Sequence, residues 1–146
     1  MTGPRSALIV GAGIGGLAAG VALGRAGWKV RRHERAASPR ELGFALLLAP
    51  NAMRALEELG LADAVRAAGS PATRFEVRHA DGRLIRRFKV QPGGRLVVAL
   101  RTVLHGALLG AVARDDLVLG SEAAHVAARA DEAILTLKDG GTERAD

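Results

Sequence analysis

The first third of the chain alternates between short apolar runs and a longer stretch in which apolar residues recur at helical spacing. Ser6–Val10 is short and rich in branched residues, which predicts a buried parallel strand. Ile14–Ala26 predicts a helix that ends at Gly27, and Trp28–Glu34 predicts an unusually polar second strand. We expect five helix residues to face the sheet: Ile14, Leu17, Ala18, Val21 and Ala22.

The middle of the chain predicts two short helices. A polar loop over Arg35–Gly43 leads into an apolar run over Phe44–Leu48. Asn51–Leu59 predicts a helix with Asn51 as its N-cap, and Leu61–Ala68 predicts a second helix directly after it.

After Pro71 the pattern changes to alternation of apolar and polar residues. Arg74–Ala80 and Arg83–Val90 flank Asp81-Gly82, which is typical of a β-hairpin. The segment Pro92-Gly-Gly94 ends this alternation.

The last third returns to mixed helix and strand patterns. Leu96–Leu100 leads into a predicted helix over Arg101–Ala113, and Leu117–Leu119 predicts a short buried strand. Ala123–Arg129 and Ala133–Leu137 predict antiparallel strands. The whole pattern predicts an α/β fold: a Rossmann-like parallel sheet with an inserted antiparallel β-meander.

Composition limits the class of protein. The chain has 146 residues, 49% hydrophobic and 25% charged, which fits one folded domain. It has no cysteine, which excludes disulfides, thiolate metal sites and a cysteine nucleophile, and a reducing cytoplasm is the expected compartment. The net charge of +6 comes mainly from scattered arginines. Without a recognition motif or aromatic platform, this charge does not indicate nucleic-acid binding.

Isolated polar residues receive structural roles. The four histidines show no spacing typical of a metal site or a catalytic triad, so we expect ordinary polar roles for them. The pair Asp115-Asp116 is interpreted as a solvated loop before a strand rather than as a carboxylate dyad.

A membrane-spanning interpretation was weighed for Ala7–Gly24, which contains no charged residue. Gly16, Gly20 and Gly24 also have the spacing of packed membrane helices. Four of the six glycines nevertheless cluster at one point, where lipid would leave backbone polar groups without partners. A strand–turn–helix unit explains this clustering, and no membrane partner is expected.

That glycine cluster has the spacing of a dinucleotide-binding turn. Gly11, Gly13 and Gly16 form Gly-x-Gly-x-x-Gly between the first predicted strand and helix, with Gly15 beside them. Gly11 permits the tight turn, Gly13 lets the backbone approach a pyrophosphate, and Gly16 allows close packing of helix on strand. The helix amides that follow would face the diphosphate.

Glu34 ends the second strand, 21 residues beyond Gly13. A carboxylate at this position accepts hydrogen bonds from the adenosine ribose and disfavours a 2′-phosphate. The sequence therefore favours FAD or NAD over NADP as the bound dinucleotide.

These motifs resemble the amino-terminal part of the FAD-dependent aromatic hydroxylases, the class A flavoprotein monooxygenases similar to p-hydroxybenzoate and salicylate hydroxylases. The similarity follows the chain in order through five segments: Leu8–Leu17, Glu34-Arg35, Glu41–Gly43, Pro50–Leu56, and Arg101 with Leu104 and Leu108. Together they distinguish this family from simple NAD dehydrogenases.

The resemblance implies further cofactor-binding residues. Glu34 and Arg35 would bracket the adenosine portion of FAD, the backbone around Gly43–Ala45 would run close to the flavin, and Arg101 would reach FAD from the start of its helix. A cation in the first turn opposes the helix dipole unless an anion lies nearby, which supports Arg101 independently. The alternative is an exposed arginine that precedes a helix capped by Thr102.

Two residues depart from the family pattern. Arg32 occupies a position that is usually apolar, so its burial would require a partner or a shifted register. Ala45 stands where the family often has glycine. Family members also continue past the position of Asp146, so the resemblance implies that 1–146 is a partial FAD-binding domain. Ala7–Val10 would then form an exposed apolar strand edge, and the chain is expected to be marginally stable alone.

The resemblance implies the FAD-binding portion of a monooxygenase that uses NADPH or NADH and O₂ to hydroxylate an aromatic or similar small apolar substrate. No catalytic side chain and no metal ligand is nominated, because the flavin performs the chemistry and the protein positions it. Two alternatives stay open: another FAD oxidoreductase of the epoxidase, halogenase or reductase type, and a non-catalytic nucleotide-binding fragment.

Overall fold

The computed structural model describes residues 5–38, 43–90 and 96–146. The chain divides into two compact units, one formed by Met1–Glu41 with Leu108–Asp146 and the other by Leu42–Ala107. The predicted break at Pro92-Gly-Gly94, part of the polar loop before Gly43, and Glu41 of the family motif lie outside the described residues.

The described residues form four α-helices and eleven short strands. The helices are α1 (Ile14–Arg25), α2 (Pro50–Glu58), α3 (Ala62–Ala68) and α4 (Arg101–Gly110). The strands are β1 (Ser6–Val10), β2 (Lys29–Glu34), β3 (Ala45–Leu48), β4 (Ser70–Pro71), β5 (Arg74–Arg78), β6 (Leu84–Lys89), β7 (Val97–Leu100), β8 (Leu117–Leu119), β9 (Ala123–Ala128), β10 (Ala133–Leu137) and β11 (Thr142–Ala145).

The first unit contains a three-stranded parallel sheet in the order β1-β2-β8. The connection from β1 to β2 is α1, which buries Leu17 and Val21, so the predicted βαβ unit is confirmed. The segment weighed as a membrane span is divided among β1, the glycine turn and α1. Within the described ranges, no helix is both long enough and apolar enough to cross a membrane.

The edge strand β1 is half-buried rather than fully exposed, except at Val10. At its start, both the backbone amide and the hydroxyl of Ser6 donate to the Asp146 carboxylate, at 2.7 and 2.8 Å. These hydrogen bonds stabilise the ionised form and lower the pKa of Asp146. The last strands are therefore tied to the start of the parallel sheet.

A second layer of the first unit is an antiparallel sheet in the order β11-β10-β9. Gly140 adopts φ 89°, a left-handed conformation that returns the chain on itself after β10. The buried residues of this antiparallel sheet are Leu135, Leu137 and Ala145. The antiparallel strands predicted over Ala123–Arg129 and Ala133–Leu137 are therefore confirmed as β9 and β10, and β11 completes the meander.

The second unit combines helices α2 and α3 with an antiparallel sheet in the order β3-β7-β4. β5 and β6 form a separate hairpin, as predicted from Asp81-Gly82, and Gly82 has φ 88° there. The unit's core is apolar: Leu48, Met53, Leu56, Ala62, Val65, Val97, Ala99 and Leu104.

Several predicted details require correction. Asn51 is not an N-cap: α2 begins at Pro50 after Ala49, since a first-turn proline needs no amide partner. The helix predicted up to Ala113 ends at Gly110, before a 3₁₀ turn that leads into β8. β8 is not buried as predicted, because it is an edge strand.

α1 also differs from prediction on its sheet-facing side. Ala22 is exposed, whereas Gly20 is buried. The cause is Arg32 on β2, whose side chain is only 2% exposed. A Cβ at residue 20 would lie 2.0 Å from one guanidinium nitrogen of Arg32. The Arg32 side chain thus occupies space between α1 and β2 that apolar side chains would otherwise fill.

The partner that burial of Arg32 requires is Asp116, which was interpreted as merely solvated. Its carboxylate lies 3.9 Å from Nη1 of Arg32. Nε and Nη1 nevertheless have no hydrogen-bond acceptor among the described residues. Burial lowers the pKa of Arg32, and the charge of Asp116 only partly opposes this effect.

Gly20→Ala is expected to destabilise the chain by about 1–3 kcal/mol, because the new methyl group collides with a guanidinium that is itself buried. Gly24→Ala in the same helix is the matched control, since no atom lies within 4 Å of a Cβ there. This control should gain up to roughly 1 kcal/mol from helix propensity. Urea unfolding followed by circular dichroism measures both, and equal effects would contradict the packing described.

Arg32→Met is expected to be neutral or to stabilise the chain by about 1 kcal/mol, because it removes a buried charge with unpaired donors. Asp116→Asn leaves that charge buried without its counter-ion and should destabilise by about 1 kcal/mol, a modest value because Asp116 is half-exposed. The same unfolding assay compares them, and a large loss of stability for Arg32→Met would show that the ion pair is strongly favourable.

Candidate functional site

The glycine turn joins the end of β1 to the start of α1. Gly11 has φ 98°, and its amide donates to the carbonyl of His33 at 2.8 Å. Gly13 is the N-cap of α1 in extended conformation, and its carbonyl accepts from Leu17 at 2.9 Å. No side chain caps this helix and no acidic residue lies in its first turn, an arrangement that suits an anionic ligand.

The glycines of the turn differ in how closely other atoms approach them. A Cβ on Gly16 would lie 2.0 Å from the carbonyl oxygen of Gly11, so this position requires glycine for packing. At Gly13 and Gly15 no atom lies within 4 Å of a Cβ. The backbone at these two positions is therefore open to the approach of a ligand, as the motif predicts.

Glu34 at the end of β2 contacts the turn directly. Its Oε2 accepts from the amide of Ala12 at 2.7 Å, and its Oε1 accepts from Ala36 at 2.9 Å. The structure therefore brings Glu34 and the glycine turn together, as their spacing in the sequence predicted.

A pocket of about 310 Å³ lies at the carboxyl ends of these strands. Crevices at this edge of a parallel sheet are the usual ligand sites of α/β folds. The pocket is lined by residues at the ends of β1 and β2 and by residues that follow β1, β2 and β8: Val10, Gly11, His33, Glu34, Arg35, Ser121, Glu122 and Ala123. Arg35 is exposed and forms part of this lining, beside Glu34.

The other two candidate residues, Ala45 and Arg101, belong to the second unit. They are neighbours there, because Ala45 pairs with Leu100 in the β3–β7 ladder. α4 begins at Arg101, so the arginine lies in the first turn, whereas the alternative placed it before the helix. Its amide donates to Phe44 at 2.9 Å, and its guanidinium lies 5.8 Å from the centre of the Phe44 ring.

Two pocket residues, His33 and Ser121, were not identified from the sequence. His33 is buried, with Nδ1 2.9 Å from Oγ of Ser121, a contact that the sequence pattern did not indicate. Side chains alternate along β2, so His33 and its neighbour Arg32 point to opposite faces of the sheet. This alternation could have indicated that His33 faces a different environment from Arg32. Its partners Ser121 and Glu143 lie far along the chain, where spacing gives no indication. Among the described residues, no cluster of potential metal ligands occurs.

Residues 5–133 match the protein-family model described as an FAD binding domain. The chain is 39% identical over 140 residues to the 2-heptyl-3-hydroxy-4(1H)-quinolone synthase of Mycobacteroides abscessus, covering 94% of this chain and 37% of that protein. It is 31% identical over 150 residues to the 6-hydroxynicotinate 3-monooxygenase of Pseudomonas fluorescens, covering 98% and 39% respectively.

Solved structures give the same result. Klebsiella pneumoniae HpxO complexed with FAD and uric acid matches with a TM-score of 0.84 and 27% identity, over 97% of this chain and 37% of that one. The 2-methyl-3-hydroxypyridine-5-carboxylic acid oxygenase matches with a TM-score of 0.84 and 31% identity, over 97% and 38%. The chain therefore spans less than two-fifths of the length of these relatives.

Gly16→Ala is expected to destabilise the first unit by about 1–3 kcal/mol, because the clash is with backbone and no side chain can move aside. Gly15→Ala is the control, since the neighbouring position has free space and alanine favours the helix. Urea midpoints measure the difference. A Gly16→Ala chain as stable as the Gly15→Ala chain would show that the turn does not need this close approach.

Proposed function

The chain belongs to the FAD binding domain family, and we propose that it holds the adenosine and diphosphate portions of FAD as part of a flavin-dependent monooxygenase. The observation that carries this proposal is the contact of the Glu34 carboxylate with the glycine turn. That contact puts a hydrogen-bond acceptor for ribose beside amides that suit a diphosphate.

The residues of the turn fit such a ligand. Gly13 and Gly15 leave space where a pyrophosphate would approach, and Gly16 keeps the helix close to the strand. The uncapped first turn of α1 supplies amide donors and the positive end of the helix dipole. Together these groups would bind the diphosphate without any lysine or arginine in the turn itself.

Glu34 is oriented before a ligand arrives. Its Oε2 accepts from the Ala12 amide and its Oε1 from the Ala36 amide, which fixes the carboxylate beside the turn. A fixed carboxylate loses little side-chain entropy on binding. It would also repel a 2′-phosphate, which favours FAD over an NADP-type ligand.

The remaining candidate residues are proposed from family resemblance together with their positions. Arg35 lines the pocket beside Glu34 and would contact the adenosine portion. In the second unit, Ala45 and Arg101 would contribute the contacts nearer the flavin. When bound, the flavin would supply electron transfer from NADPH or NADH and the activation of O₂. The protein groups named here would bind and orient the cofactor only.

The names of the relatives support a substrate class. They are described as acting on or forming a quinolone, a hydroxynicotinate, and a pyridine carboxylic acid, and one neighbour is complexed with uric acid. We therefore propose a small nitrogen-containing aromatic compound as the substrate of the enzyme to which this domain belongs.

Titration of the chain with FAD tests the binding proposal, with flavin fluorescence quenching as the readout. We expect saturable binding that 5′-ADP competes away and 2′,5′-ADP does not, since the carboxylate of Glu34 repels a 2′-phosphate. Glu34→Gln should weaken FAD binding about tenfold and reduce this discrimination, the effect expected for loss of one charged hydrogen bond. Asp131→Asn, at an exposed turn, is the control. Equal competition by both nucleotides would contradict the role of Glu34.

Oxidation of NADPH and NADH, followed at saturating FAD with and without 6-hydroxynicotinate or urate, tests the reaction class. Substrate-stimulated oxidation with oxygen consumption supports monooxygenase chemistry. FAD binding without such stimulation would assign this chain the cofactor-binding role alone.

A further inference from the structure

His33 lies in a chain of polar contacts behind the pocket. Its side chain is 1% exposed, and Nδ1 is 2.9 Å from the Ser121 hydroxyl. On the other side of the ring, Nε2 is 3.2 Å from Oε2 of Glu143, although the two are not aligned as a hydrogen bond. The other oxygen of Glu143 pairs with Nε of Arg31 at 3.0 Å.

These contacts determine where the proton of a neutral His33 lies. A carboxylate can only accept, so Glu143 favours the tautomer with the proton on Nε2. Nδ1 then has a free lone pair, and the hydroxyl of Ser121 must donate to it. Because its proton is used in this way, Ser121 presents an oxygen lone pair to any other partner.

The pair lies in the wall of the proposed cofactor pocket. His33 and Ser121 both line it. Their backbones are hydrogen-bonded to other residues of the pocket. The carbonyl of His33 accepts from the amide of Gly11, and the amide of Ser121 donates to the backbone carbonyl of Glu34 at 2.9 Å. If the turn takes the diphosphate and Glu34 takes the ribose, the polar lining left for the base is Arg35 and the segment that begins at Ser121.

We propose that Ser121 accepts a hydrogen bond from the exocyclic amine of adenine, and that His33 is the positioning residue that fixes Ser121 as an acceptor. This inference rests on the proposed function. It makes the pocket selective for a 6-amino purine over a 6-oxo purine, because the amine only donates and the oxo group only accepts.

Several charged groups surround this imidazole. Glu143 faces it from β11 and Arg31 lies on the same face of β2. Glu34, Arg35 and Glu122 share the pocket lining with it, whereas its partner in the β1 ladder is the apolar Val10. The role of His33 must therefore be tested by substitution of this residue.

Competition of 5′-ADP and inosine 5′-diphosphate against FAD tests the proposal. We expect the unsubstituted chain to prefer 5′-ADP about fivefold, the factor typical of one neutral hydrogen bond. Ser121→Ala should abolish the preference, and Ser121→Thr, which keeps the hydroxyl, should restore it.

His33→Gln should reduce the preference, because a side-chain amide can either donate to the Ser121 hydroxyl or accept from it. His125→Gln, a substitution of an exposed histidine on β9, is the matched control and should keep the preference. Circular dichroism confirms that every variant is folded. A preference that persists in Ser121→Ala, or one that is unchanged in His33→Gln, would overturn the proposal.

Nitrogen–proton NMR of the imidazole rings gives a readout that needs no ligand. Neutral His33 should carry its proton on Nε2, and a proton on Nδ1 would overturn the assignment of Ser121 as acceptor. Absence of FAD binding by the unsubstituted chain would contradict the proposed function and this inference together. Binding with equal affinity for the two diphosphates would overturn the inference alone.

Discussion

The close approach of α1 to the end of β1 is the constraint on which the rest of the site depends. A single methyl group at Gly16 would lie 2.0 Å from the backbone oxygen of Gly11. This approach fixes the turn so that Gly11 can donate to His33 and Ala12 can donate to Glu34. Because all three contacts end at the same edge of the sheet, the helix amides and the Glu34 carboxylate, the proposed ribose ligand, converge there.

The same helix meets the sheet a second time at Gly20, and here the reason is different. Gly20 makes room for Arg32, a charged residue on a strand position that is ordinarily apolar. Its only charged neighbour among the described residues is the half-exposed Asp116. Two glycines of one helix therefore have separate roles, one in bringing the helix onto the turn and one in accommodating a buried guanidinium.

Local patterns were sufficient to predict the βαβ unit, because apolar runs and glycine spacing act over a few residues. Ser6–Val10 and the hairpin around Asp81-Gly82 were correctly placed for this reason. The burial of β8 was wrongly predicted, because its position at the edge of the sheet depends on strand order, which local spacing does not encode. The roles of His33 and Asp116 were missed for the same cause: each depends on a partner from a distant segment.

Backbone amide NMR during titration with FAD tests most directly whether the glycine turn holds the dinucleotide. We expect the largest shift changes at Gly11–Gly16, at Glu34 and in the segment that begins at Ser121, since these residues form the turn and the pocket. Shift changes confined to other parts of the chain, or none at saturating FAD, would contradict the assignment of this turn as the cofactor site.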